Sequence, residues 1–233
     1  MKVLGIDTST SCGSVGFIDE EKDILFEYSL KVPITHSERL LKAIDHVLNI
    51  TGYNLEDIDG FAISLGPGSF TGLRIGVSTI KGLSFATKKA VLGIPSLDVL
   101  ASQISPTPYL ICPIIDGRKG EVYTAFYYYT EENQLQRLTP YKSIKPEELI
   151  KGIERKTMFI GDGVKSYKEI IKNYLSSLAL FTIEPLNNPF GTIVAKLGCN
   201  LLRKGEVLTL DSFTPMYIRA PEAETKWLEK NDN

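Results

Sequence analysis

Three short apolar runs, at residues 3–6, 14–18 and 24–28, open the chain, and polar turns separate them. Apolar and β-branched runs of this length, joined by turns of polar residues, are typical of antiparallel hairpins. The beginning of the chain is therefore predicted to form three strands.

The next pattern has a helical period. Thr35 and Glu38 have the spacing of a capping box, a hydroxyl three residues before a glutamate, which predicts a helix start near Thr35. Gly52 supplies a plausible end. The apolar residues between them recur on one helix face, at Leu40, Leu41, Ile44, Val47 and Leu48.

A glycine-rich segment, residues 66–74, reads GPGSFTGLR and lies between the apolar run 61–65 and a helix-like stretch. Glycine lets a backbone or a ligand approach closely because it has no Cβ, and the N–H groups that begin a helix favour anions. A Walker loop needs Lys and then Ser or Thr after its last glycine, but Leu73 stands there. The spacing leaves open a phosphate cradle or a tight strand-to-helix turn, and it favours the turn.

The stretch from 73 to 88 is predicted to be a helix rich in small residues, among them Gly76 and Gly82. Glycine weakens a helix by roughly 1 kcal/mol relative to alanine, so another backbone is expected to pack close to it. That backbone belongs either to the neighbouring sheet of the same chain or to a partner chain.

The second half of the chain repeats the order of the first. Residues 110–116 form an apolar run that ends in aspartate, and a glycine-containing turn leads into the run 121–129. The first half has the same order from residue 5 to residue 17. The repeat predicts two related domains, and Pro106 and Pro108 indicate the boundary between them. Further strands are predicted at 90–94, 134–144, 158–161 and 180–183, and helices at 96–103, 146–154, 164–175 and 192–204.

The composition is that of an ordinary globular protein. The chain has 233 residues, a net charge of −2 and 43% hydrophobic residues, so it does not have the charge of a basic nucleic-acid binder. No apolar run reaches the ~18 residues of a membrane span, and a cytoplasmic location is expected by default. Three scattered cysteines fit neither a disulfide framework nor a zinc site.

Few residues qualify for chemistry. Asp7 and Asp116 end equivalent strands; they either hold a Mg²⁺–nucleotide between the domains or are simple turn residues, and the turn interpretation is favoured. His36 and His46 are the only histidines. Their spacing on one helix separates them by ~15 Å, so they cannot share a metal, and His36 is predicted to be a surface residue of the first turn.

Several motifs resemble the bacterial TsaB family, also called YeaZ. They are GPGSFTGLRIG at 66–76, IDTS at 6–9, DGRKGEVY at 116–123, GDG at 161–163 and TPMYIR at 214–219. The glycine-rich motif and the DGRKGEVY motif are specific, whereas GDG alone is weak. The matches extend from residue 4 to about 224, nearly the full length.

The resemblance implies an α/β fold with two RNase H-like domains of the actin, hexokinase and heat-shock ATPase (ASKHA) type, each with a mixed five-stranded sheet flanked by helices. Residues 1–104 would form the first domain and 105–221 the second, with a charged tail at 222–233. In that superfamily an aspartate after the first strand of each half faces nucleotide phosphates and metal. Asp7 and Asp116 would be vestiges of such a site.

The resemblance also implies a non-catalytic subunit. TsaB pairs with TsaD, which transfers a threonylcarbamoyl group to an adenosine of certain tRNAs, and the ATPase TsaE joins them. This chain would need no cofactor or metal of its own, and ATP or ADP would bind only at the interface with the partner. It would contact tRNA through the complex. It would form a homodimer when alone. The expected interface residues are Leu41, Ile44, Leu48, Gly72, Gly76, Ile80 and Leu83.

Two enzymatic alternatives stay open. One is a small ATP-dependent phosphotransferase or ATPase of the same superfamily, which would use Asp7 and Asp116. The other is a metalloprotease, an older description of the wider family. The resemblance speaks against it, because Ser96 and Leu100 stand where TsaD has its two metal-binding histidines.

Overall fold

The first half of the chain forms a mixed five-stranded sheet. The computed structural model describes residues 1–219. The five strands are β1 (Lys2–Asp7), β2 (Gly13–Asp19), β3 (Ile24–Leu30), β4 (Gly60–Gly66) and β5 (Ala90–Pro95). Their order across the sheet is β3-β2-β1-β4-β5. The first three are antiparallel, and β4 and β5 run parallel to β1, which agrees with the predicted mixed sheet.

Two long helices cover one face of this sheet, and a short helix follows β5. They are α1 (His36–Thr51), α2 (Phe70–Thr87) and α3 (Ser96–Ser102). Leu4 and Ile6 of β1 pack toward α1 and α2, whereas Val3, which points to the opposite face, belongs to a different hydrophobic cluster. This alternation follows from the two-residue period of a strand.

The predicted helix ends are partly correct. Gly52 ends α1 in the left-handed conformation, with φ 76°. The predicted capping box is wrong, because the Thr35 hydroxyl bonds Ser37 Oγ and caps no backbone N–H. Helix α2 begins three residues earlier than the apolar period indicated, since the Ser69 hydroxyl accepts a hydrogen bond from the Gly72 N–H and so caps the helix.

The second half forms a seven-stranded sheet, larger than the predicted five strands. Its order is β10-β7-β6-β11-β12, with β8 pairing to β6 and to β9. The strands are β6 (Leu110–Asp116), β7 (Val122–Thr124), β8 (Tyr127–Tyr129), β9 (Leu135–Arg137), β10 (Lys142–Ile144), β11 (Thr157–Ile160) and β12 (Ala179–Phe181). The helices are α4 (Pro146–Lys151), α5 (Gly163–Leu175) and α6 (Gly191–Lys204).

Two of the predicted strands are each divided in two. The run 121–129 forms β7 and β8, because the backbone of Phe126 turns to bond Thr139 and Leu138 instead of continuing one ladder. The run 134–144 forms β9 and β10, and Pro140 between them has no N–H to donate to a ladder. The apolar pattern alone does not reveal these breaks.

Helix α6 comes from the second half of the chain but packs on the first sheet. A Cβ built on Gly16 would lie 2.0 Å from the Thr192 nitrogen, and one on Gly191 would lie 2.2 Å from the Gly16 nitrogen. The two backbones are therefore in direct contact, which only glycine permits at these positions.

Helix α3 likewise packs on the sheet of the other half of the chain. It comes from the first half, and its Leu97 and Leu100 pack in the core of the second sheet. Each half of the chain supplies a helix to the core of the other half, and the boundary at residues 104–105 stays a prediction. The two lobes are thus interlocked, and neither buries its sheet alone.

The predicted tail, 222–233, lies outside the described residues. None of the helices in residues 1–219 is long and apolar enough to cross a membrane.

The contact between α6 and the first sheet predicts opposite outcomes for two glycine substitutions. Gly16→Ala should lower the free energy of unfolding by about 3 kcal/mol or more, because the new methyl group pushes α6 off the sheet. Gly82→Ala is the matched control: it lies in exposed helix, and an added Cβ meets no atom within 4 Å. This control should raise stability by up to ~1 kcal/mol. Urea unfolding of both variants measures the difference, and similar effects would contradict the proposed contact.

Candidate functional site

A cleft of about 980 Å³ separates the two lobes. The first lobe contributes the β1–β2 turn, the loop before α1 and the glycine-rich segment, and the second lobe contributes the turn after β6 and residues 216–219. The polar and charged side chains in the lining include Ser9, His36, Arg39, Arg74, Asp116, Arg118, Asp162 and Arg219. A cleft of this size between lobes is the usual place for a ligand.

The glycine-rich segment packs directly against the β1–β2 turn. The Ser69 N–H donates to the Ser9 carbonyl at 2.6 Å. A Cβ on Gly68 would lie 2.3 Å from that carbonyl oxygen, and one on Gly72 would lie 2.1 Å from the carbonyl oxygen of Thr8. The glycines thus let two backbones touch. Of the two interpretations left open by the sequence, the structure has the tight turn.

Asp7 lies beneath this turn, away from solvent. Its side chain is completely buried, and the Ser9 N–H and hydroxyl both donate to Oδ1 at 2.9 Å. Burial raises the pKa of Asp7 from 3.8 to about 6, although the hydrogen bonds of Ser9 act in the opposite direction. Asp7 does not line the cleft, so its carboxylate cannot contact a ligand there in this conformation.

Asp116, by contrast, reaches the cleft. Its carboxylate accepts a hydrogen bond from the Arg118 N–H at 2.9 Å, and its own N–H donates to Asp162 Oδ1 at 3.0 Å. Burial raises the pKa of Asp162. The predicted pair Asp7 and Asp116 is therefore not brought together in the cleft; the acids that meet there are Asp116 and Asp162.

His36 was predicted to be a surface residue, and this prediction is wrong. The ring is half-buried beside Gly13 and Gly72. Its Nε2 contacts the Thr10 carbonyl at 2.9 Å and its Nδ1 contacts Arg39 Nη2 at 3.1 Å. A carbonyl only accepts and a guanidinium only donates, so the proton is on Nε2. Burial lowers the pKa of His36, which favours this neutral form.

Arg39 completes the connection between the loop before α1 and the β1–β2 turn. The guanidinium donates to the carbonyls of Leu30 and Ser11 at 2.7 and 3.0 Å. Arg39 has no signal of its own in the sequence, because a charged residue in the first turn of a helix is typically exposed. The only signal in the sequence was indirect, because Gly13 and Gly72 leave space for the His36 ring that Arg39 contacts.

The positions aligned with the TsaD metal ligands are in the core. Ser96 and Leu100 are both completely buried, and Leu100 packs among apolar side chains of the second lobe. Within residues 1–219, no three His, Cys, Asp or Glu side chains are grouped so that they could hold a metal ion. The three cysteines are free and buried.

Most of the expected interface residues are in the core of the monomer. Ile44, Leu48, Gly72, Gly76 and Ile80 are all buried, and Leu83 is half-buried. Their prediction as surface residues is therefore wrong. Only Leu41 is exposed, at 58% of its surface. The reason is that a helix packed on a sheet uses its apolar stripe for that sheet.

The exposed sides of the same two helices carry a different set of residues. Phe85 of α2 is 66% exposed, and Leu41 of α1 is 58% exposed. Between Phe85 and the start of α2, the exposed positions are mostly small, namely Thr71, Ser78 and Gly82. Such positions let another helix approach closely. We call this surface the α1–α2 face, defined by Leu41 of α1 and by Thr71, Ser78, Gly82 and Phe85 of α2.

Burial of Asp7 predicts a stability that depends on pH. Its pKa is 3.8 ordinarily and about 6 in the folded protein, so the folded state binds the proton more tightly. Its contribution is greatest below pH 3.8 and is lost as the pH rises through 6. Asp7→Asn should raise the free energy of unfolding by roughly 1–3 kcal/mol near pH 8 and much less near pH 4. Urea titrations at both pH values measure this, and an equal effect at both would contradict it.

Comparison with known proteins identifies the family. A family model described as TsaD, tRNA N6-adenosine threonylcarbamoyltransferase, matches residues 31–227. A Bacillus subtilis protein named tRNA threonylcarbamoyladenosine biosynthesis protein TsaB is 30% identical, over 98% of this chain and 99% of its own. The match to the TsaB protein thus covers the whole chain.

Solved structures agree with these sequence matches. A Pseudomonas aeruginosa protein described by its similarity to the peptidase YeaZ superposes with a TM-score of 0.79 at 25% identity, and the match covers 94% of this chain and 99% of the other. An Arthrobacter polyphosphate/ATP-glucomannokinase has a TM-score of 0.55 at 11% identity, over 86% of this chain and 99% of its own. The second likeness shows a shared ASKHA-type fold and nothing about activity. The chain belongs to the family that the TsaD model describes and, within it, to the TsaB (YeaZ) proteins.

Proposed function

We propose that this chain is a non-catalytic subunit of the machinery that makes threonylcarbamoyladenosine in tRNA. It pairs with a TsaD-family transferase, which performs the transfer. The names of its relatives support a role in this biosynthesis. The interlocked lobes support the role of a rigid subunit, because they hold α1 and α2 in a fixed arrangement for a partner.

One observation carries the non-catalytic assignment. The carboxylate of Asp7, at the end of β1, is completely buried, and the glycine-rich segment is hydrogen-bonded across the turn that follows it. A phosphotransferase of this fold needs that position open to phosphates and metal. Here the loop occupies the approach, and the Ser69 N–H that could bind an anion is already donated to the Ser9 carbonyl.

The α1–α2 face is the surface proposed for pairing. Leu41 and Phe85 are large apolar side chains exposed on two helices that contact each other. The small residues of α2 beside Phe85 leave room for a helix of the partner to approach closely. Exposed apolar groups of this kind mark protein interfaces more often than free surface.

The other expected partners are proposals of the same kind. A TsaE homologue would join the pair, and ATP or ADP would bind only at the junction between the subunits. In the absence of TsaD the same apolar face would be covered by a second copy of this chain, because an isologous contact needs a single self-complementary surface.

The pairing face is tested by Leu41→Asp and Phe85→Asp. Each variant should weaken binding to the TsaD-family partner of the same host by about a hundredfold, because a charge is buried at the centre of the contact. Ile183→Asp is the matched control, since Ile183 is equally exposed but lies in the second lobe. Calorimetry measures binding and unfolding measures the fold. Unchanged affinity in both Asp variants would show that the face is misplaced.

An ATP-dependent phosphotransferase is the second candidate, because Asp116 and Asp162 line a ligand-sized cleft in an ASKHA-type fold. It predicts that the purified chain binds Mg-ATP and that Asp116→Ala abolishes this binding. The scaffold proposal predicts that the chain alone turns over no substrate and that turnover appears only when the partner is added. Turnover by the chain alone would overturn the scaffold proposal.

A further inference from the structure

Aromatic and cationic side chains meet at the mouth of the cleft. The Arg74 guanidinium lies 3.9 Å from the centre of the Phe70 ring, and its Nε donates to the Tyr217 hydroxyl at 3.0 Å. The Phe70 and Tyr217 rings are 5.0 Å apart, and both are more than one-third exposed. Arg118 lines the cleft from the opposite lobe. We call these four residues the rim cluster.

The rim cluster contains two exposed cations, Arg74 and Arg118. Within residues 1–219, neither Arg74 nor Arg118 is within ion-pair distance of a carboxylate side chain. Arg219, which also lines the cleft, differs because it is paired with Glu121 at 3.1 Å. Two exposed guanidinium groups that form no ion pair among the described residues favour a ligand that supplies carboxylates.

The backbone that presents Arg118 is strained. Arg118 and Lys119 have φ values of 62° and 55°, a conformation that costs a non-glycine residue free energy. The turn is held by two hydrogen bonds, from the Gly117 N–H to the Glu121 carbonyl and from the Glu121 N–H to the Arg118 carbonyl. Maintained strain in a well-bonded turn points to a functional position for the Arg118 side chain.

The arrangement does not suit RNA. One face of the Phe70 ring is covered by Arg74, and Tyr217 lies beside it at an angle of 32°, so the pair offers no slot between parallel rings for a base. Asp116 and Asp162 also line the cleft, and they would keep phosphates and carboxylates alike away from that part of it. Ile34, Val32 and Met216, which also line it, offer apolar contact instead. Guanidinium groups beside apolar side chains suit an acidic peptide that carries an apolar residue.

The rim cluster is continuous with the α1–α2 face. Phe70 and Arg74 belong to the first turn of α2, and Arg74 shares its exposed side with Thr71 and Ser78. We propose that the rim cluster binds an acidic segment of the same partner that covers the α1–α2 face, with its carboxylates on Arg74 and Arg118. This inference rests on the proposed pairing and adds a second, electrostatic contact to it.

The double variant Arg74→Glu/Arg118→Glu tests the proposal in the full chain. Its affinity for the TsaD-family partner should fall by about tenfold or more, and the salt dependence of binding between about 0.05 and 0.5 M NaCl should become weaker. The control is Arg155→Glu/Lys165→Glu, which makes the same change of net charge at exposed positions of the second lobe outside the cleft. Its affinity and salt dependence should match those of the unchanged chain.

Three outcomes would overturn the proposal. If both double variants bind the partner equally well while Leu41→Asp does not, the rim cluster takes no part and the pairing proposal survives. If the rim variant loses binding to a tRNA probe but not to the partner, the ligand is RNA. If the rim variant shifts the fluorescence of Trp227, the single tryptophan, and leaves partner affinity unchanged, the rim is covered by the chain's own residues.

Discussion

Direct contact between backbones is the constraint on which the first lobe depends. On one side of its sheet, Gly16 and Gly191 bring α6 against β2. At the end of the sheet, Gly68 and Gly72 bring the glycine-rich segment against the β1–β2 turn. A single methyl group at any of these positions would occupy space already filled by backbone atoms, so α6 and α2 could not keep their present positions. The interlocking of the lobes, the burial of Asp7 and the presentation of the α1–α2 face all follow from these contacts.

The burial of Asp7 determines which groups the cleft of this ASKHA-type fold presents. A fully buried carboxylate with a raised pKa lowers stability at neutral pH, yet its oxygens are held by Ser9 and cannot reach the cleft. The groups that remain exposed in the cleft are different: Arg74 and Arg118 at its mouth, with aromatic side chains beside them.

The interface prediction illustrates a general limit of periodicity. The stripe of Ile44, Leu48 and Ile80 was read as a surface for a partner, but it is the stripe that packs on the sheet. A helical period shows that one side is buried, and it does not show by what. The side that faces outward, with Leu41 and Phe85, has no strong period because it mixes apolar, small and polar residues.

Sequence by itself determined most of the elements, the turn at the glycine-rich segment and, through its motifs, the family. These are set by local backbone preference and by patterns within a few residues of each other. The tertiary structure alone decided the exchange of α3 and α6, the burial of Asp7, the pairing of His36 with Arg39 and the meeting of Phe70, Arg74 and Tyr217. Each of these joins residues that are distant in the chain or depends on the shape of another element. Local sequence carries no signal for such contacts, because the free energy that fixes them comes from packing between elements.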